Sequence, residues 1–213
     1  MTGREAASRS LYLAGLLAPG VFLLSVVIGG ARRAGYSHVS EPVSALGMSG
    51  APDAWAINAA WTITGLLVML LGLALWRDRS GPGRFGAGAL LAAGAASAAI
   101  ALWFPMDPPG VPMSRAQGGH HILVVVAALA FAAAMAGSAR APAAPPIYRR
   151  LTWLALAAMV LGGAGAALST ALGLDAIGAF ERLTQGGYQA WLLMTGAVGW
   201  SREWRVARPA NET

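Results

Sequence analysis

At 213 residues, 56% of them hydrophobic and only 11% charged, with a mean hydropathy of +0.57, the chain is too apolar for one soluble domain, in which about a quarter of residues are charged. It reads as an integral membrane protein. Fifteen arginines stand against nine acidic residues, but they fall at the ends of apolar runs, where they set orientation against anionic lipid, so no nucleic acid is expected as a partner. The absence of cysteine excludes disulfides, thiolate metal sites and a Cys nucleophile.

A bilayer core of about 30 Å takes roughly 20 apolar residues at a rise of 1.5 Å each. Six stretches reach that length: 10–31, 54–76, 84–104, 117–138, 151–174 and 179–200. The expected fold is therefore all-α, a single polytopic domain over 1–213 with six transmembrane helices. Arg4 and Arg9 precede the first run in the manner of a signal peptide, but 10–31 exceeds a usual h-region and reads as a retained helix.

The first connection, 32–53, is long and mixes hydroxyls with one acid after Tyr36-Ser37-His38. Ser40-Glu41-Pro42 is expected to open a short interfacial helix, with Ser40 as cap and Pro42 in its first turn, while Glu41 is a candidate catalytic carboxylate. Ser80-Gly81-Pro82-Gly83 then separates the second and third helices. After the third comes Phe104-Pro105-Met106-Asp107-Pro108-Pro109, where flanking prolines fix the position of Asp107. That carboxylate either caps backbone donors and pairs with an arginine, or serves as acid or base.

His120 and His121 open the fourth helix, about 100 degrees apart around its axis, so they are poorly placed to share a metal, and one is expected to face inward and the other outward. Pro142, Pro145 and Pro146 precede the fifth helix. The turn near Asp175 leads to Glu181 and Arg182 in the first turns of the sixth, where a buried charge is costly unless paired. They are either a structural anchor or a pocket-lining pair, with Arg182 suited to holding a carboxylate or phosphate.

Gly86-Ala87-Gly88, Gly94-Ala95-Ala96 and Gly162-Gly163-Ala164-Gly165 read as close-packing faces. Trp55, Trp76, Trp103, Trp153, Trp200 and Trp204 suit the membrane interface. With the N-terminus in the cytoplasm, Arg32, Arg33, Arg115 and Arg182 lie outside and the other eleven arginines inside, which favours cytoplasmic termini in the cell membrane. Five acidic residues (Glu41, Asp53, Asp107, Asp175, Glu181) and all three histidines then share the outer side. No phosphate loop, dinucleotide fingerprint, Gly-x-Ser-x-Gly elbow or His-Glu-x-x-His helix is present, and no cofactor or metal is required.

Three runs carry a family resemblance: Val39-Ser40-Glu41-Pro42-Val43-Ser44-Ala45-Leu46-Gly47 with Gly50-Ala51-Pro52; Phe104-Pro105-Met106-Asp107 with Gly119-His120; and Gly178-Ala179-Phe180-Glu181-Arg182-Leu183. In this order around six apolar segments they resemble a prokaryotic membrane family catalogued as domain of unknown function 998. The resemblance implies a six-helix bundle with shared polar positions at Ser40, Glu41, Asp107, His120, Glu181 and Arg182, and brings no established reaction. His121 and Ala45 look like departures from its pattern.

Two functions are open. One is an intramembrane acid/base enzyme acting on an isoprenoid, by cyclisation, or on another lipid. Its catalytic candidates are Glu41, Asp107, His120 and Glu181, with Ser40, Arg115 and Arg182 binding substrate. The other is a non-catalytic protein that binds a small lipophile or stabilises a partner complex, the same residues serving as ion pairs and caps.

Overall fold

In a bilayer every backbone N–H and C=O must be satisfied within the protein, so long apolar runs become helices. The computed structural model describes residues 3–78 and 82–201, with side chains from residue 10 onward. Arg79, Ser80, Gly81, Arg202, Trp204, Arg205 and Arg208 lie outside the described residues, as do the side chains of Arg4 and Arg9. The described residues form six helices: α1 (Gly3–Arg32), α2 (Ala54–Asp78), α3 (Gly83–Trp103), α4 (Arg115–Arg140), α5 (Pro146–Leu172) and α6 (Ile177–Ser201). A short 3-10 helix, Val43–Gly47, stands in the first connection, and there is no strand among the described residues.

Each helix packs on its neighbours in sequence, α4 on α5 more thinly than the rest, and α1 closes the ring against α6. The bundle is thus a closed circuit in which the C-termini of α1, α3 and α5 share one end, here the polar end, with the N-termini of α2, α4 and α6. Large apolar side chains such as Leu23, Leu24, Leu129, Leu154 and Leu161 point outward, as lipid requires. Five helices, α1 to α5, are long and apolar enough to cross a membrane. The sixth is long enough but falls short in hydropathy, because Glu181, Arg182, Gln185 and Gln189 interrupt it at helical spacing.

Two local expectations need correction. Pro146 does not precede the fifth helix but begins it, which costs nothing because the first helical N–H has no intrahelical acceptor. The expected short helix forms at Val43–Gly47, but its cap position is Pro42 and not Ser40, and no side chain caps it. Ser40 instead gives its backbone N–H to the Ser37 hydroxyl in the preceding turn. The end of α5 comes at Gly173, whose left-handed backbone (φ 63°) reverses the chain.

Away from the polar end the core is held by close apolar packing around Leu71, Leu90, Met135 and Trp191. A buried hydrogen-bonded chain ties α5 to α6 there. Trp191 Nε1–H donates to the Tyr148 hydroxyl at 2.9 Å, Tyr148 lies 2.9 Å from Thr195 Oγ1, and Thr195 donates to the Trp191 carbonyl at 2.8 Å. Since Thr195 spends its proton on that carbonyl, Tyr148 is the donor to Thr195.

Tyr148→Phe removes the acceptor of a fully buried indole N–H, which costs about 1–3 kcal/mol. The detergent-solubilised variant is therefore expected to melt several degrees lower than the wild type by intrinsic fluorescence. An unchanged melting temperature would show that this chain contributes nothing to the bundle.

Candidate functional site

The polar end is organised by Arg182, one turn into α6. A guanidinium carries five N–H donors in one plane. Here Nη1 donates to the carbonyls of Gly178 (2.9 Å) and Glu41 (3.2 Å), and Nη2 donates to the Tyr36 hydroxyl (2.8 Å) and to His38 Nδ1 (2.8 Å). Arginine can only donate, so His38 accepts through Nδ1 and carries its proton on Nε2. Three of the four acceptors belong to the first connection, which Arg182 thereby fastens to α6. The remaining donor, Nε, is buried without a partner among the described residues.

Two further bonds lock the same junction. The Ala179 N–H donates to the Val39 carbonyl at 2.9 Å, and Glu181 Oε2 accepts the Val43 N–H at 2.7 Å. The second places a helix carboxylate at the free N–H groups of the 3-10 helix instead of those of its own helix. Gly178 is required at the crossing, because a Cβ there would land on the Glu41 carbonyl. Tyr36 passes its own proton to the Pro42 carbonyl at 3.0 Å. Burial raises its pKa above the ordinary phenol value, partly offset by the Arg182 hydrogen bond.

Glu41 is tied into the first connection itself. Its Oε1 accepts the Ser37 N–H at 3.1 Å, and its Oε2 pairs with Arg33 at 3.3 Å. Arg33 also donates to the Ala45 carbonyl at 2.6 Å. Arg32 and Asp53 form an exposed pair at 2.7 Å that bridges the ends of α1 and α2. Asp107 has a similar structural task in the second connection, where its two oxygens accept the N–H and hydroxyl of Ser114 at 2.7 and 2.9 Å. Ser114 in turn caps α4 by accepting the Gln117 N–H at 3.2 Å. The two connections meet where the Ser49 N–H donates to the Met106 carbonyl at 2.9 Å.

Below this junction lies a cavity of about 450 Å³ inside the helix ring, bordered by residues of all six helices and by Val43 and Ser44. Such a volume falls in the range of about 300–1,000 Å³ typical of small-molecule sites. Its walls are predominantly apolar and include the rings of Phe22, Trp61, Phe131 and Tyr188, the last two stacked at 4.4 Å between centroids. Glu181 and His120 are the ionisable acid and base on its wall. His120 is buried, and because its Nδ1 lies 2.8 Å from the Phe104 carbonyl, Nδ1 carries the proton and Nε2 keeps its lone pair. His121 is exposed, so the histidine doublet divides inward and outward as expected. The cavity opens sideways where α4 and α5 are thinly packed, since Val125 and Leu129 border it and are exposed.

The expected site residues thus divide into three groups. Glu181 and His120 both line the cavity. Glu41 and Arg182 join the junction above it. Asp107 serves the second connection, while Ser40 and the exposed Arg115 do not line the cavity. No group of three His, Cys, Asp or Glu able to hold a metal is found among the described residues.

Sequence reasoning missed Tyr36 and His38 as partners of Arg182, and Gln185 and Gln189 on the cavity wall. The glutamines follow Glu181 at successive intervals of four, a spacing that marks one helix face. The chain matches the family model described as "Protein of unknown function (DUF998)" over residues 16–198. No curated protein and no solved structure matches it.

Gly178→Ala is expected to push the first connection off α6 and cost roughly 1–3 kcal/mol, the usual penalty of overpacking. Gly186→Ala, where an added Cβ meets nothing within 4 Å, serves as its control. Melting curves of the two in one detergent should separate by several degrees. Coincident curves would contradict the close approach at Gly178.

Proposed function

The chain belongs to the family described as protein of unknown function (DUF998), which assigns no reaction; from the cavity we propose that it is a multi-pass membrane enzyme acting on an isoprenoid or another lipid by acid/base chemistry. One observation carries this reading: a mostly apolar, aromatic-lined cavity whose wall, among the described residues, carries one carboxyl, Glu181, and one imidazole, His120. The sideways opening between α4 and α5 gives a lipophile a route from the bilayer. The arginine distribution supports a reading in which the polar end faces outward from the cell membrane.

In a cyclisation Glu181 acts as the acid. Its Oε2 is held by the Val43 N–H, and Oε1 gives its proton to one carbon of a substrate double bond. The carbocation so formed is attacked by the electron pair of a second double bond, which closes the ring. The faces of Trp61, Phe131 and Tyr188 stabilise the moving positive charge. His120 Nε2 then removes a proton beside the final cation, and the C–H electron pair becomes the new double bond. The reaction is an isomerisation, and a proton passed back from His120 to Glu181 resets the site. Hydrolysis or transfer at a lipid head group uses the same acid and base.

A non-catalytic lipophile-binding protein, or one that stabilises a partner complex, is the second reading. It is favoured by the commitment of Glu41 and Asp107 to contacts within the connections.

Mass spectrometry of lipid extracts from cells expressing wild type, Glu181→Gln and His120→Asn, with a melting curve for each, tests the enzyme. His120→Asn keeps a donor for the Phe104 carbonyl while removing the base. A product that falls by about 10²-fold or more in both variants, the usual contribution of a general acid or base, at unchanged melting temperature is the expected result. A product undiminished in folded variants would refute the acid/base roles, and a lipid bound but never converted would leave the second reading.

A further inference from the structure

A groove of about 470 Å³ runs along the lipid-facing seam of α1 and α6. It is apolar along Leu23, Val27 and Leu193, and it ends near the membrane surface at His38 and Arg182. Phe22, Gln185 and Gln189 border both this groove and the central cavity, so they form the partition between the two. Gln189 is only 8% exposed, yet neither its amide nitrogen nor its amide oxygen reaches good hydrogen-bond geometry with a partner among the described residues, the Tyr188 hydroxyl being the neighbour that its amide influences. An amide buried in this way loses its bonds to water without replacement, a cost of about 1–3 kcal/mol per unsatisfied group. A tenant with both a donor and an acceptor would remove that cost.

We propose that the α1/α6 groove is a second lipid site, for a lipophile bearing a hydroxyl group, with Gln189 as the anchor of that hydroxyl. A hydroxyl matches the amide on both sides, donating to its oxygen and accepting from its nitrogen. Two features of the groove select against an anionic head. Gln189 itself is uncharged. Arg182, the cation at the groove's end, spends four of its five N–H donors on the first connection and α6 and keeps the fifth buried, so it has no fork to present to a phosphate. The groove therefore takes an alcohol such as an isoprenoid alcohol, with its tail along α1 and its hydroxyl at the partition. This names the head group for the lipophile-binding part of the reading above and rests on it. The readout below is binding, whereas the acid/base roles are read by turnover, so the two can fail separately.

The test uses the full-length protein in detergent with farnesol, its parent hydrocarbon lacking the hydroxyl, and farnesyl phosphate, scored by native mass spectrometry. Wild type is expected to bind farnesol about tenfold more tightly than the hydrocarbon, the worth of one well-made pair of hydrogen bonds. Gln189→Leu should abolish that preference while still binding the hydrocarbon. Gly186→Trp, whose Cβ meets nothing within 4 Å, should weaken all three by filling the groove, with a melting curve at the wild-type temperature confirming that the variant is folded. Equal binding of alcohol and hydrocarbon by wild type, an undiminished preference in Gln189→Leu, or tighter binding of the phosphate would each overturn the proposal.

Discussion

The polar end depends on the seating of one guanidinium. Arg182 is half-buried at the head of α6, with its Nε out of reach of water, and a charge entering an apolar bundle is costly unless its donors are met. It is compensated by neutral acceptors, two carbonyls, a hydroxyl and an imidazole nitrogen, rather than by a carboxylate. That choice has a structural result. Because three of the acceptors come from 36–41, the first connection cannot leave α6 without stranding the charge, and it is thereby fixed as a roof above the central cavity. Glu181, its neighbour in sequence, is left to do something different: it holds the 3-10 helix by one oxygen and borders the cavity.

The cost of the arrangement appears in α6. A helix that carries Glu181, Arg182, Gln185 and Gln189 on adjoining faces is too polar to enter lipid by hydropathy alone, and it is stabilised by packing on α1 and α5 instead. Small residues make that possible, since Gly196 meets Gly15 backbone to backbone at the α1 crossing and Gly187 meets α5 at Ala155 and Met159. The polarity that weakens α6 as a membrane span is the same polarity that equips the cavity.

Much of this was legible in the residues. Six apolar runs separated by Gly and Pro located the apolar spans of the helices, because length against bilayer thickness is a strong constraint; α1 starts seven residues earlier, at Gly3, because its polar first turns lie outside the apolar run, and α5 starts five residues earlier because Pro146 was read as a breaker where it serves as an initiator. Glu181 and Arg182 were recognisable because charge inside an apolar run is costly. The roles of Glu41 and Asp107 were not decidable, since a carboxylate beside proline looks alike whether it accepts backbone N–H groups or protons from a substrate, and only the positions of Ser37, Arg33 and Ser114 distinguish the two. The glutamines escaped notice because amides carry no charge, and the aromatic lining did because helical spacing alone does not say which side of a helix faces inward.

The central claim is that Arg182 holds the first connection on α6. Hydrogen–deuterium exchange of wild type and Arg182→Leu in detergent tests it most directly, because exchange reports opening segment by segment. The account predicts markedly faster exchange over 36–47, with α2 to α4 unchanged along their lengths. Exchange over 36–47 as slow as in wild type would contradict it.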